Sequence, residues 1–454
     1  DISVEDGEVA NSGIIKGKNG VLIDAKKISN KGKIKSSIVD IQAKETIDNN
    51  NGEIQADTIL LEADNLSNNN GLIESDAASI VLRTKVNEKD RPKEQELRQD
   101  IDNLKTLQSV YQLALNESIE KGGDIKTIDI DKKTIIDKAR TYLISGLTEE
   151  EVGSELLEEI DARLNNISSI YDDLNKNKEE NYIKSEDFKK EINDSRVEIA
   201  TLIDRSDYQS GKLDNSEGTI KTKTQLYLKT ADIDNNNGTI ESGGIATVLA
   251  DRDIHNENGG LIKSKDHLSV DAGRDIYNVS KAETETSKTK KKSWFSRTYQ
   301  TNSKQVVNKM SGIESEGTLV IDAGQDLVNI AANVKAKGDA YISAGKDILI
   351  GGLTLKEKNT TIKTNDLGLS SKQSTTKTEK TTFAGSLIEI GGNLAMESGQ
   401  KTTVLGSDLK AKGLIKIKAG GDVDILAAEE TTKTNKKINK STKKLSRQKT
   451  KKKK

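Results

Sequence analysis

Apolar and polar residues alternate along this chain in short runs that return about every twenty residues. The early sets read Val21, Ile23, Ala25 and Ile28, then Val39, Ile41, Ala43 and Ile47, then Ile59, Leu61, Ala63 and Leu66. Later come Leu226, Leu228, Thr230 and Ile233, Leu268, Val270, Ala272 and Ile276, Leu319, Ile321, Ala323 and Leu327, and Ile415, Ile417, Ala419 and Val423. A period of two among β-branched residues predicts strands rather than helices. Each run is preceded by a corner with glycine at Gly13, Gly32, Gly52, Gly71, Gly218, Gly238 and Gly260. Isoleucine follows two residues later, at Ile15, Ile34, Ile54, Ile73, Ile220, Ile240 and Ile262. Two residues before the glycine stands Asn11, Asn30, Asn50, Asn69, Asn236 or Asn258, with Ser216 the exception. One such unit cannot bury its own apolar face, but stacked units share a continuous narrow core. The expected fold is therefore a β-solenoid, with asparagines stacked along one corner and glycine or asparagine supplying positive φ there. A simple hairpin turn also explains N-x-G, but not the fixed period.

The pattern stops near Lys85 and resumes near Asn215. Between them the spacing is helical. Leu97, Ile101, Leu104, Val110 or Tyr111, Leu115 and Ile119 share one stripe. Pro92, the chain's single proline, sits where that helix starts, a position proline tolerates. Thr148-Glu149-Glu150-Glu151 reads as a capping box for a helix carrying Val152, Leu156, Ile160, Leu164, Ile167, Tyr171 and Leu174. Ser185 caps a further helix through Ile192, Ile199 and Leu202 or Ile203, and Gly122, Gly123 and Gly146 break the run. Residues 87–210 are thus expected to be a helical insertion in one coil, serving either as a recognition module or as a cover for one flank.

Composition narrows the picture. The chain has 454 residues, 3% aromatics and no cysteine. Disulfides and cysteine-ligated metals are excluded, and few large side chains suit a thin core. About fifteen coils are expected, making a rod on the order of 70 Å. The chain opens on Asp1 and ends in a lysine run, without a signal peptide or an apolar run of membrane-spanning length; it reads as a piece of something longer. The formal net charge of −2 conceals an asymmetry. Residues 87–210 hold thirty acids against nineteen bases, whereas residues 433–454 hold twelve bases and no acid.

In the second half four strands end alike: Ala272-Gly273-Arg274-Asp275-Ile276, Ala323-Gly324-Gln325-Asp326-Leu327, Ala344-Gly345-Lys346-Asp347-Ile348 and Ala419-Gly420-Gly421-Asp422-Val423. These A-G-x-D turns, the N-x-G-x-I corners and the polar excursions between them resemble the repeats of the filamentous haemagglutinin family. That family comprises two-partner-secreted exoproteins, among them adhesins and contact-dependent growth inhibition effectors. The resemblance covers residues 1–85 and 211–454. It implies an all-β, right-handed parallel β-helix at a bacterial surface, secreted or outer-membrane associated. It also implies passage through a partner outer-membrane two-partner-secretion transporter, and attachment to a cell-surface receptor protein or glycan. Residues 1–85 resemble the first repeat type and residues from about 260 the second. No secretion-signal domain, toxin or tyrosine/proline-rich segment matches.

The expected organisation is β-helix over 1–86, acidic α-helical insertion over 87–210, and β-helix over 211–280. A basic aromatic hairpin follows over 281–309, then β-helix over 310–430 with an excursion at 356–383, and a basic tail over 431–454. Alternating Thr, Lys and Ser predict that the excursions project as β-hairpins, and the tail is expected to be a solvated run. Trp294, the chain's one tryptophan, stands with Phe295, Arg297 and Tyr299 among lysines. Trp294 and Phe295 are expected to cover the solenoid flank; the alternative is contact with a sugar, a base or a lipid headgroup. Basic patches attract anionic surfaces without specificity, and no specific nucleic-acid partner is implied.

Enzyme signals are poor. His255 and His267 are the two histidines, and no HExxH, P-loop or G-x-S-x-G motif occurs. Asp422 and Asp424 share a strand face, as any residues two apart do. The A-G-x-D aspartate reads as a turn residue bonding its own backbone, and tandem calcium repeats are missing. No cofactor or metal is expected. The first expectation is a structural, adhesive filament segment. The stalk of a contact-dependent inhibition effector is the second, and a β-helical polysaccharide lyase or hydrolase the third.

Overall fold

In the computed structural model the described residues are 1–120, 131–145, 154–176, 185–206, 210–366 and 370–442. Twenty-nine strands form one continuous sheet wound as a parallel β-helix. Each coil contributes three strand segments, so the cross-section is triangular and each side is a column of parallel strands. On the first side Ile34, Ile54, Ile73, Ile220, Ile240, Ile262 and Ile313 stack in register and are fully buried. Branching at Cβ suits these side chains to an extended backbone and to packing on one another. The second side places Val21, Ile23 and Ala25 over Val39, Ile41 and Ala43, and so on upward. The inward sets read from the sequence are the core of the rod. At the last coil the set stacks on one side only, and Ile415 and Val423 are 39% and 42% exposed.

On the second side twelve strands are joined by eleven parallel pairings. At about 4.8 Å per step the rod is about 50 Å tall. The expectation of about fifteen coils was too high, because the excursions consume chain without adding height.

The asparagine corner is a ladder. Each side-chain amide donates to the next along Asn11, Asn30, Asn49, Asn68, Asn215, Asn235, Asn256, Asn278 and Asn329, at 2.6–2.8 Å. The rungs expected at Asn50, Asn69, Asn236 and Asn258 are corrected to Asn49, Asn68, Asn235 and Asn256. Parity explains the shift: Ile47 points inward, so Asn49 does and Asn50 does not. Asn50 instead accepts from the Asn69 backbone at 2.7 Å on the outside. The ladder passes from Asn68 to Asn215 as though the insertion between them were absent.

Corner glycine also has a different cause from the one expected. Positive φ falls on the residue before it, at Asn51, Asn70, Glu217 and Asn237. Glycine itself is needed for proximity: a Cβ on Gly52 would lie 2.2 Å from the Asn30 carbonyl oxygen of the coil beneath. The A-G-x-D turns repeat this logic, since a Cβ on Gly324 would lie 2.0 Å from the Gly273 oxygen. Asp275, Asp326 and Asp347 accept from the coil above rather than from their own backbone. Asp275 receives the Asp326 N–H at 3.0 Å, and Asp326 receives that of Asp347 at 3.1 Å.

The helical insertion leaves between the second and third sides. It contains α1 (Arg91–Glu120), α2 (Lys132–Ile144), α3 (Ser154–Lys176) and α4 (Ser185–Asp204). Leu104, Leu107, Val110, Tyr111, Ile135, Ile160, Leu164, Ile167, Tyr171 and Phe188 form its core. A second cluster joins Leu97, Ile199, Leu202 and Ile203 to Val86, in the segment that leads from the rod into α1. Sequence reading missed α2, whose N-cap Asp131 accepts from the Thr134 N–H at 2.9 Å. The expected capping box at 148–151, with Val152, and the breaks at Gly122, Gly123 and Gly146 lie outside the described residues, as does the side chain of Ser185.

Candidate functional site

All three excursions leave the rod at one corner, between its third and first sides. They follow the coil strands Ile276–Val279, Ile348–Gly351 and Val423–Leu426. The coils between, ending in Leu327–Ile330 and Thr402–Leu405, turn the same corner directly through Ala331 and Gly406, both at positive φ. A departure every second coil sets successive excursions about 10 Å apart along the rod. Two hydrogen-bonded strands need about the same width. Successive hairpins therefore meet edge to edge and form one antiparallel sheet. Its strands are Glu283–Lys292, Ser296–Val306, Leu353–Asp366, Ser370–Ala384 and Thr431–Thr442. The tail expected to be solvated is thus a strand as far as Thr442, because Ser370–Ala384 offers it a free edge. Residues 443–454 lie outside the described ones.

This sheet has no buried face; among the described residues none of its strand positions is fully enclosed. Threonines pair across strands, as Thr301 with Thr360 and Thr361 with Thr376, an arrangement that supports a wet sheet. Both edge strands are lysine-rich, which discourages edge-to-edge aggregation.

The sequence-singled residues gather at the tip of the first hairpin. The Ser293 N–H donates to the Ser296 oxygen at 2.8 Å and closes the turn. Trp294 and Phe295 occupy that turn, 90% and 61% exposed, with ring centroids 6.2 Å apart and planes tilted by 54°. They do not cover the solenoid flank, which corrects that expectation: ten strand residues carry them away from it. Arg297 lies opposite Lys292 and Tyr299 opposite Lys290. The Lys290 ammonium sits 5.4 Å from the Tyr299 ring centroid, a cation–π geometry. Trp294 and Phe295 themselves carry no metal-ligating or nucleophilic group.

A second surface lies where α4 runs along the rod. Asp204 meets Arg252 and Arg274 at 3.1 and 2.5 Å. Arg196 donates to Asp322 at 2.9 Å and to the Ala272 oxygen at 2.6 Å, and also pairs with Asp271. Lys189 pairs with Glu397 and Tyr341. From Asp204 to Lys189 a helix rises about 22 Å, and the four coil steps it spans rise about 19 Å. The helix therefore reads one column of the rod, Asp271, Asp322 and Glu397, at matching pitch. Burial opposes the charge on Glu397, yet Lys189, Tyr341 and Lys418 hold its carboxyl down at about 2. Burial likewise opposes the charge on Asp251, and Arg98 overcomes it and lowers its carboxyl.

Between insertion and rod lies a cleft of about 230 Å³ lined by Arg98, Lys105, Arg196, Lys229, Asp251 and Asp271. Arg98 already holds Asp251 at 2.8 Å, and burial and the nearby Arg196 lower the Lys105 ammonium. The arrangement clamps two parts together. His255 stacks on Tyr277 and meets Glu257 at 3.2 Å, while His267 meets Thr318 at 2.8 Å. Among the described residues no group of three or more His, Cys, Asp or Glu is placed to hold a metal ion. No helix among them is long and apolar enough to cross a membrane.

Coiled rod and side sheet together define a parallel β-solenoid with a projecting antiparallel sheet. Residues 367–451 match the family model described as the hemagglutinin repeat, a structural and adhesin family. The match spans the second hairpin's return strand, the last coils and the fifth strand of the side sheet, and it supports the filamentous haemagglutinin resemblance. No curated protein and no solved structure matches the chain.

Proposed function

We propose that this chain is a spacer and contact segment of a secreted bacterial surface exoprotein that mediates attachment. The carrying observation is the geometry of the first hairpin: a rod with a buried core presents Trp294, Phe295, Arg297 and Tyr299 at the end of a strand pair, in solvent. The rod sets distance and the side sheet makes contact. Export through a two-partner-secretion transporter fits a chain without cysteine, whose coils assemble one at a time by local stacking. Surface display of the chain, with attachment to cells counted for wild type and for a variant lacking 283–306, tests this. Equal attachment by both would remove the hairpin from the function. A second reading is the stalk of a contact-dependent inhibition effector. It draws support from the hemagglutinin-repeat match lying in the part that resembles the second repeat type. A toxic domain encoded after Lys454 would favour it.

A further inference from the structure

The hairpin tip carries a combination that folding does not require. Two-residue hairpin turns favour glycine, asparagine and aspartate, whose backbones and short side chains suit the bend. Here the two turn residues are the bulky Trp294 and Phe295, neither at positive φ and neither packed on the rod. On the same hairpin, residues 288–299 hold five cations and no acid; the neighbouring hairpin sets Asn365 opposite Ser296 and donates its Asp366 N–H to the Phe295 oxygen at 2.9 Å. Lys292 and Arg297 stand directly opposite each other, a like-charge pair that repels unless an anion lies between or above it.

We propose that this tip is a membrane-surface anchor that inserts its two rings among the headgroups of an anionic lipid bilayer. The inference rests on the attachment reading above and names the partner of that same site. Tryptophan, with its polar N–H edge, favours the interface between headgroups and acyl chains, and phenylalanine supplies apolar area that enters the acyl boundary beside it. Lysines and arginines just behind them meet the lipid phosphates, and that attraction fades within a Debye length. The ring geometry favours a lipid surface over a sugar. Planes tilted by 54° make a wedge and not the flat platform on which a sugar ring stacks. On its own strand pair the flanking side chains are cations, suited to phosphate, and they outnumber the one carboxylate, Asp366, that the neighbouring hairpin brings beside Phe295. Ten residues of strand on one side and eleven on the other hold the tip up to about 30 Å from its root, so a bilayer can be reached without contact by the rod.

Trp294 is the single tryptophan, so its fluorescence reports this tip alone. With the full chain, phosphatidylglycerol-containing phosphatidylcholine vesicles should shift the emission to the blue, and acyl-chain-brominated lipid should quench it. Co-sedimentation with these vesicles should fall roughly tenfold in Trp294→Ala/Phe295→Ala. It should also fall in Lys290→Gln/Lys291→Gln/Lys292→Gln, and at high salt for wild type. Circular dichroism identical to wild type establishes that both variants fold. No emission change and no co-sedimentation overturns the proposal, and so does a shift produced by soluble heparin but not by vesicles. If those variants lose cell attachment while wild type ignores vesicles, the attachment reading survives and the lipid partner does not. If attachment is unchanged while vesicle binding is lost, the lipid anchor stands and the attachment reading falls.

Discussion

Rod and side sheet are built from the same extended backbone, at the same strand spacing, and they are held together by opposite means. In the rod, parallel strands share an enclosed column such as Ile220, Ile240, Ile262 and Ile313. The coils approach so closely that glycine is obligatory at Gly52 and Gly324. In the side sheet, antiparallel strands pair through backbone bonds and threonines, and both faces are wet. A coil is specified by what it hides, a hairpin by its register. The lesson is that sequence change is costly on one side of the corner and tolerated on the other, so the hairpins are where contact chemistry can vary.

The strongest way to break this contrast is to remove matched residues from each side. Ile240→Ala should cost about 2–5 kcal/mol through lost burial and a cavity. Asn235→Ala strips an acceptor from Asn215, which keeps the Gly218 and Thr239 carbonyls, and the donor from the buried Asn256 oxygen; a buried group left without its partner costs about 1–3 kcal/mol. Thr361→Ala in the side sheet should stay within about 0.5 kcal/mol. Solenoids unfold in stages, so the measurement is amide exchange of the neighbouring coils rather than one melting midpoint. Equal losses in all three variants would mean that the sheet is as tightly specified as the rod.

A smaller effect should separate the insertion from the rod. Removing one partner of an enclosed ion pair leaves the other uncompensated. In Arg196→Ala, Asp271 and Asp322 lose their shared cation; because both are partly solvated, about 2 kcal/mol is expected. Exchange protection of α4 should fall while that of the coil core holds. Loss of coil protection as well would show that the insertion supports the rod rather than riding on it.

Acid should act on the same clamp, more weakly. The Glu397 carboxyl sits at about 2 against an ordinary 4.5. A depressed folded-state value means that its contribution is complete above about 4.5 and is lost as pH falls through about 2. With solvent screening allowed for, the loss is on the order of 1 kcal/mol. Exchange of α4, corrected for intrinsic rates, should speed up over that window, and by less in Glu397→Gln. An unchanged acid response in that variant would remove Glu397 from the clamp.

Sequence alone disclosed most of the rod, because inward parity and corner glycine repeat with the coil. It misplaced the asparagine rungs by one or two residues where several polar residues run together, as in Asn49-Asn50-Asn51. Counting parity from Ile47 recovers the correct rung. Docking of α4 was not legible. Asp271, Asp322 and Glu397 lie far apart in sequence and become one column only after stacking. Union of the three excursions was hidden similarly, since it depends on which coils lack one. The residues at the candidate tip were named from composition, but their exposure was misjudged: nothing in the local sequence states how far a hairpin stands from its root.

The smallest expected effect sharpens the contrast most. Trp294 and Phe295 are large apolar side chains, and in a core their loss would cost about 3–5 kcal/mol. At the tip they are 90% and 61% exposed, with ring centroids 6.2 Å apart. Trp294→Ala/Phe295→Ala should therefore leave stability within about 0.5 kcal/mol of wild type, with thermal unfolding followed by circular dichroism unchanged. The hairpin register should also hold, because the Ser293–Ser296 bond and the pairing of Lys292 with Arg297 use backbone atoms. A drop of more than about 1 kcal/mol would mean that the rings brace the sheet. If stability is indifferent to them, the turn's two bulky residues have no structural reason to be there, and contact with something outside the chain is what accounts for them.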